Sequence, residues 1–233
     1  MNIKIFADGA VLEDFITLDQ DDIIKGFTTN PSLMRAAGVP NYMDFARILT
    51  RLIKDKPISL EVFANDWTEM ERQARILAQL GDNVYVKIPI TDTFGDSTEY
   101  VVHRLSAEGI KVNVTAIMTT DQVKDIIGFT NVDVPCYISV FAGRIANTGI
   151  DPMPIMKRCV EILETNNSNA ELIWASPREL LNIYQADEVG CHIITVTNTI
   201  LSNMYLIGKD LTEYSLETVK MFYDDAEASK YVI

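Results

Sequence analysis

One lysine stands among β-branched and aromatic residues in the stretch Asn83-Val84-Tyr85-Val86-Lys87-Ile88-Pro89-Ile90-Thr91. An apolar setting penalises the charged form of a lysine, and a neutral amine is the species that attacks a carbonyl to form a Schiff base. Lys87 is therefore the candidate nucleophile. Glu61, within Ser59-Leu60-Glu61-Val62-Phe63, is a second ionisable residue in an otherwise apolar run. It reads either as a member of the site around Lys87 or as its partner in a structural ion pair. Such chemistry requires no metal or other cofactor, because a protonated Schiff base itself takes up the electrons released when a C–C bond breaks. His103 and His192 show no metal-ligand spacing and read as structural.

The elements that must position these residues emerge from hydrophobic periodicity. Short runs rich in Ile, Val and aromatics occur at Ile3–Ala7, Lys25–Thr28, Ile58–Phe63, Val84–Ile88, Lys111–Thr115, Cys136–Val140, Glu171–Ala175 and His192–Val196. These have the composition of strands buried on both faces. Helical patterns lie between them, at Leu12–Asp19, Asn41–Lys54, Trp67–Leu80, Ser97–Glu108, Thr120–Ile127, Pro152–Glu164, Arg178–Asp187 and Thr199–Leu206. In the third, Met70, Ala74, Leu77 and Ala78 share one face. Eight strand–helix units predict an α/β fold, a single (β/α)8 TIM barrel, over residues 1–233. A doubly wound open sheet also alternates strands and helices, but it seldom reaches eight regular units, and no G-x-G-x-x-G turn is present. Residues 210–233 read as an additional C-terminal helix, packed on its own barrel or reaching a neighbouring subunit.

Barrel active sites form at the C-terminal ends of the strands. Asp8 ends the first run, Thr28 and Asn30 stand at the end of the second, Glu61 lies near the end of the third and Lys87 ends the fourth. Asn113 and Thr115 end the fifth, Ser139 lies in the sixth with Phe141 and Arg144 just after it, and Ser176 and Arg178 come after the seventh. An Asp or Thr just after a strand can also be a helix cap, and a lone loop arginine can be a surface ion pair. Two arginines with a serine near the last strands point instead to an anion site, since arginine binds oxyanions bidentately.

Composition narrows the partners. The 233 residues, 48% hydrophobic, suffice for one large core, and a formal charge of −13 argues against nucleic acid or an anionic membrane surface as the main partner. Cys136, Cys159 and Cys191, with no C-x-x-C, read as buried thiols. No apolar run is long enough to span a membrane and the start lacks a signal-peptide core, so a cytoplasmic location is expected. Neither a Gly-x-Ser-x-Gly elbow nor a Walker loop occurs.

At Gly26-Phe27-Thr28-Thr29-Asn30-Pro31-Ser32-Leu33, Val84-Tyr85-Val86-Lys87-Ile88-Pro89-Ile90-Thr91 and Phe141-Ala142-Gly143-Arg144-Ile145, the sequence resembles the transaldolase family, in particular its short subfamily that also includes fructose-6-phosphate aldolase. The resemblance spans nearly the whole chain. It implies a class I mechanism with Lys87 as Schiff-base nucleophile, Asp8 as acid/base at the substrate hydroxyl, and Glu61 acting through a water held by Thr115. It further implies that Thr28, Asn30, Asn113 and Ser139 hold substrate hydroxyls, and that Arg144, Ser176 and Arg178 bind the phosphate. Glu61 and Phe141 match the transaldolase pattern, where the aldolases tend to carry Gln and Tyr. Phe6-Ala7-Asp8-Gly9 and Trp174-Ala175-Ser176-Pro177-Arg178 depart from the common pattern. A related anionic substrate such as a sulfonated sugar is thus a second expectation beside a sugar phosphate. A homo-oligomer, pentamer or decamer, built through the C-terminal helix is the expected assembly. The competing readings are an aldolase that releases free dihydroxyacetone and a catalytically silent barrel that only binds sugar phosphates.

Overall fold

The structure, a computed structural model, describes residues 1–166 and 169–233. Eight strands, β1 (Lys4–Asp8), β2 (Ile24–Thr28), β3 (Ile58–Glu61), β4 (Val84–Pro89), β5 (Val112–Ile117), β6 (Cys136–Val140), β7 (Ala170–Trp174) and β8 (Ile193–Thr197), close into a barrel in sequence order. Every neighbouring pair is parallel, and β1 closes the ring against β8. The expected (β/α)8 architecture is present.

Side chains of a strand alternate between faces, so in a closed barrel residues two apart share the interior. That period stacks two interior layers here. Phe6, Tyr85, Tyr137, Ile173 and Ile193, joined by Ala175, form a separate buried cluster, distinct from the larger core between strands and helices. Tyr85 and Tyr137 stack with centroids 3.9 Å apart, and Phe6 meets Tyr137 edge-on at 5.7 Å. Gly26 makes room for this layer, because a Cβ there would lie 2.5 Å from the Phe6 ring. Two residues further along the same strands stand Asp8, Thr28, Lys87, Ser139 and Thr195. An aromatic floor thus underlies a polar upper layer. The alternate residues, among them Val84, Val86 and Ile88 on β4, face outward into the main core.

The surrounding helices are α1 (Leu12–Asp19), α2 (Pro31–Ala36), α3 (Tyr42–Leu52), α4 (Trp67–Ala78), α5 (Glu99–Ala107), α6 (Thr120–Ile127), α7 (Ala142–Ala146), α8 (Met153–Thr165), α9 (Leu181–Glu188), α10 (Asn198–Leu201) and α11 (Leu211–Ser229). Two short ones, α2 and α7, were not expected from periodicity, which one or two turns cannot display. Both lie at the mouth: α2 is capped by Asn30, whose side chain accepts the Leu33 N–H. Helix α9 begins at Leu181 rather than Arg178, because the Asn182 Oδ1 accepts the N–H groups of both Arg178 and Glu179 and holds them outside the helix. The stretch Thr199–Leu206, expected as one helix, is α10 with a separate 3-10 turn at Met204–Leu206.

Helix α4 buries Met70, Ala74 and Leu77 as its pattern requires, and also Glu71, which the pattern did not indicate. Glu71 is neutralised from two sides, by Arg75 at 3.0 Å and Arg104 at 2.9 Å. His192 is structural: its Nδ1 accepts the Leu172 N–H at 3.0 Å. All three cysteines are free and buried. Among the described residues no helix is long and apolar enough to cross a membrane.

Helix α11 buries none of its residues. Leu211, Leu216, Val219, Met221, Phe222 and Tyr223 are all exposed. This overturns the reading in which it packs on its own barrel.

Candidate active site

The upper polar layer opens into a cavity of about 500 Å3 at the C-terminal end of the barrel. Its lining brings together Asp8, Thr28, Asn30, Glu61, Lys87, Asn113, Thr115, Ser139, Phe141, Arg144, Ser176 and Arg178. Every candidate site residue named from the sequence is among them. Among the further residues of the lining, Thr195 and Ala116 were not expected from the sequence. Thr195 does carry a signal in the sequence: it lies two residues beyond Ile193 on the eighth strand, on the inward period, although it does not stand at the strand's end.

Lys87 is 6% exposed. Its Nζ lies 2.9 Å from Glu61 Oε2 and donates to the Thr29 carbonyl oxygen at 3.1 Å. The pair is set by strand register, since Glu61 on β3 sits opposite Lys87 on β4. The end of β3 is in turn fixed from outside, where the Tyr42 hydroxyl donates to the Glu61 carbonyl oxygen at 2.8 Å. Burial is possible for this lysine because one carboxylate and one carbonyl satisfy it.

Asp8 stands on the other side of the layer. Burial pushes its carboxyl above the usual carboxylate range, and the nearby negative charge of Glu61 adds to this. The Lys87 charge and a hydrogen bond from Thr28 act in the opposite sense without cancelling it. Thr28 Oγ1 donates to Asp8 Oδ1 at 2.8 Å and is in close hydrogen-bond contact with Thr195 Oγ1.

The wall from β3 to β6 is a continuous polar chain. Ser139 Oγ donates to Asn113 Oδ1 at 2.7 Å, and Asn113 Nδ2 donates to Ser59 Oγ at 2.9 Å. Asn113 is thereby fixed in orientation. Beside it, the buried Thr115 Oγ1 has no hydrogen-bond partner among the described residues. A buried hydroxyl of this kind suits a bound water or a substrate oxygen. Ala116, at a register shift of β5 against β6, adopts φ = 63°, a left-handed conformation that costs a residue with a Cβ about 1–2 kcal/mol.

The rim beyond β6 and β7 gathers the cationic groups. The Arg144 guanidinium stacks over the Phe141 ring, 5.7 Å from its centroid. Arg178 Nε is shared between the Gly143 carbonyl oxygen at 3.3 Å and Asn147 Oδ1 at 3.1 Å. Neither arginine forms an ion pair with a carboxylate among the described residues. The surface-ion-pair reading of these arginines does not hold. Gly143 is required by close approach, because a Cβ on it would lie 1.6 Å from the Ser176 carbonyl oxygen. Ser176 itself is left-handed at φ = 60°. Two guanidinium groups and a serine with no competing carboxylate can receive an oxyanion.

Chemically, the cavity offers a buried amine beside a proton acceptor, a second carboxyl disposed to exchange protons, a set of oriented hydroxyls and amides, and a cationic rim. Among the described residues no cluster of His, Cys, Asp and Glu could hold a metal ion.

Comparison with known proteins gives a concordant result. A family model described as "Transaldolase/Fructose-6-phosphate aldolase" matches residues 5–233. The chain is 33% identical over 219 residues to "Probable transaldolase 2" of Listeria monocytogenes, covering 92% of this chain and 93% of that one. It is 34% identical over 220 residues to "Probable transaldolase" of a Thermoanaerobacter species, covering 94% and 95% of the two chains. A "Probable transaldolase" of Streptococcus equi subsp. zooepidemicus is 34% identical over 229 residues, with 96% and 97% covered.

Proposed function

This chain belongs to the transaldolase/fructose-6-phosphate aldolase family, and on that premise we propose that it is a Schiff-base transaldolase that moves a dihydroxyacetone unit from a ketose phosphate to an acceptor aldehyde. The observation that carries this reading is the buried Lys87, 2.9 Å from Glu61 and within the same cavity as the proton-exchanging Asp8.

In this mechanism Glu61 takes a proton from the Lys87 ammonium, and the freed amine attacks the C2 carbonyl of the donor ketose. Loss of water from the carbinolamine needs a proton delivered to the departing oxygen, and Glu61 supplies it, with the Thr115 hydroxyl holding the water. Ionised Asp8 then removes the proton of the C4 hydroxyl. The C3–C4 bond breaks, its electron pair moves into the iminium, and the first aldehyde departs. The three-carbon enamine stays on Lys87, attacks the acceptor aldehyde to re-form a C–C bond, and Asp8 returns its proton to the new hydroxyl. Hydrolysis with Glu61 as base releases the product ketose. Asn30, Asn113 and Ser139 face the substrate hydroxyls, and Arg144, Ser176 and Arg178 hold the terminal anion, a phosphate or a sulfonate.

Phe141 supports transfer over release, because a ring without a hydroxyl gives no second anchor for a hydrolytic water. The exposed apolar face of α11 supports assembly into a homo-oligomer.

Borohydride reduction in the presence of fructose 6-phosphate should add a stable covalent mass at Lys87, and Lys87→Met should add none. Trapping that persists in Lys87→Met would remove Lys87 from the mechanism. Omitting the acceptor distinguishes the activities: a transaldolase retains the three-carbon unit, whereas steady release of free dihydroxyacetone would assign the aldolase reaction instead.

A further inference from the structure

We infer that Thr195, on β8, is a positioning residue for proton exchange at Asp8, acting through Thr28; the inference rests on the Schiff-base reading above. A threonine hydroxyl carries one donor hydrogen and two lone pairs. Thr28 Oγ1 spends its hydrogen on Asp8 Oδ1 at 2.8 Å whenever the carboxylate is ionised, since an ionised carboxylate only accepts. The close contact between Thr28 and Thr195 must then be a hydrogen bond that Thr195 donates. The direction of the chain is fixed: Thr195 to Thr28 to Asp8.

Three strands hold the chain together. In Cα register, Asp8 on β1 is opposite Thr28 on β2, while Phe6 on β1 is opposite Thr195 on β8. Thr195 and Thr28 therefore approach each other from the two sides of β1, within the barrel. Both are buried, at 6% and 4% exposure. Little of either side chain meets solvent, and a hydrogen bond received by Thr28 polarises the one it gives. With that bond in place, Thr28 is locked in the rotamer that points its hydrogen at Asp8. Without it, the hydroxyl is free to turn away, and ionised Asp8 loses a charge-assisted bond in a site where burial already disfavours its charge.

The consequence is specific to one step. C–C cleavage needs ionised Asp8, whereas imine formation at Lys87 uses Glu61. Thr195→Val, which keeps the shape and deletes the donor, should shift the acid limb of the kcat–pH profile for transfer from fructose 6-phosphate to higher pH. Borohydride trapping at Lys87 should stay as extensive as in the parent, and Thr195→Ser should restore the parent limb. Thr195→Ala serves as the second donor-free variant should the valine perturb folding, and it should shift the limb in the same direction. A raised KM with an unmoved acid limb in the donor-free variants would overturn the inference, because it would mean that Thr195 touches substrate rather than acting through Asp8. An unchanged profile with unchanged KM would overturn it equally. Failure of the parent protein itself to trap an imine would instead remove the Schiff-base reading, so the two failures are distinguishable.

Discussion

Glu61 and Lys87 occupy opposite positions in the β3–β4 ladder and meet inside the barrel as a buried ion pair 2.9 Å long. Such a pair contributes little net stability, because desolvation of both charges offsets their attraction, while removing one partner strands the other. Its place in the cavity suits the proposed Schiff-base chemistry, since Glu61 lies within reach of the Lys87 amine. Glu61→Gln should keep the shape and slow imine formation by about 10²-fold or more, within the usual contribution of a positioned acid/base. Rapid-quench borohydride trapping measures this, and a trapping rate equal to the parent's would exclude Glu61 from the step.

Asp8 gives a prediction about stability. Its folded-state carboxyl titrates above the ordinary carboxylate range because it is buried. The fold therefore binds the Asp8 proton more tightly than the unfolded chain does. This favourable contribution is present below the unfolded pKa and is lost as pH rises through the folded one. Asp8→Asn should raise the thermal midpoint at neutral pH while abolishing transfer, and the gain should vanish at acid pH. Each kcal/mol corresponds to about 2–4 °C for a chain of this size. A midpoint below the parent's at neutral pH would show that the attraction of Lys87 outweighs burial.

The cationic rim separates binding from chemistry. Arg178→Gln removes a guanidinium whose Nε is already engaged by Gly143 and Asn147. KM for a phosphorylated donor should rise by about 10- to 100-fold, the equivalent of one charge-assisted hydrogen bond, while kcat at saturation changes little. The effect should be absent for an unphosphorylated ketose such as fructose. An equal effect on both donors would place the anion elsewhere.

Gly143→Ala tests the close approach of two loops. A methyl group there would collide with the Ser176 carbonyl oxygen and lie 3.3 Å from Arg178 Nε. A loss of about 1–3 kcal/mol, typical of overpacking, is expected in chemical denaturation, together with weakened donor binding. Parent-like stability and KM would show that the rim is deformable.

Helix α11 carries a prediction about assembly. Light scattering should report a multiple of the 26.2 kDa protomer, and a chain ending before Leu211 should give a smaller species. A monomer from the intact 233-residue chain would leave the exposed face of α11 without a partner copy.

Much of this molecule is legible in its sequence, for identifiable reasons. Fully buried strands such as Val84–Pro89 announce themselves as β-branched runs, and barrel topology then sends their C-terminal residues to one mouth. The features that escape are those that lack a period or depend on register. Helices α2 and α7 are too short for periodicity to register. The start of α9 is decided by one side chain, Asn182. Thr195 requires the knowledge that β1 brings β2 and β8 within reach of each other. Glu71 cannot be recognised as buried, because its two arginine partners lie on different helices, Arg75 on α4 and Arg104 on α5.

The two-storey interior has a consequence for how this barrel can change over evolutionary time. The storey of Phe6, Tyr85, Tyr137, Ile173 and Ile193 supplies cohesion, while the one above it carries the polar groups of the candidate site. Because each storey draws on its own positions along the strands, mutations in the upper one can be sampled without loosening the foundation. Stability and reactivity are thereby inherited on separate sets of positions. A library confined to 113 and 139 should yield mostly folded proteins with altered donor preference, and one confined to 6, 85 and 137 should yield mostly unfolded ones.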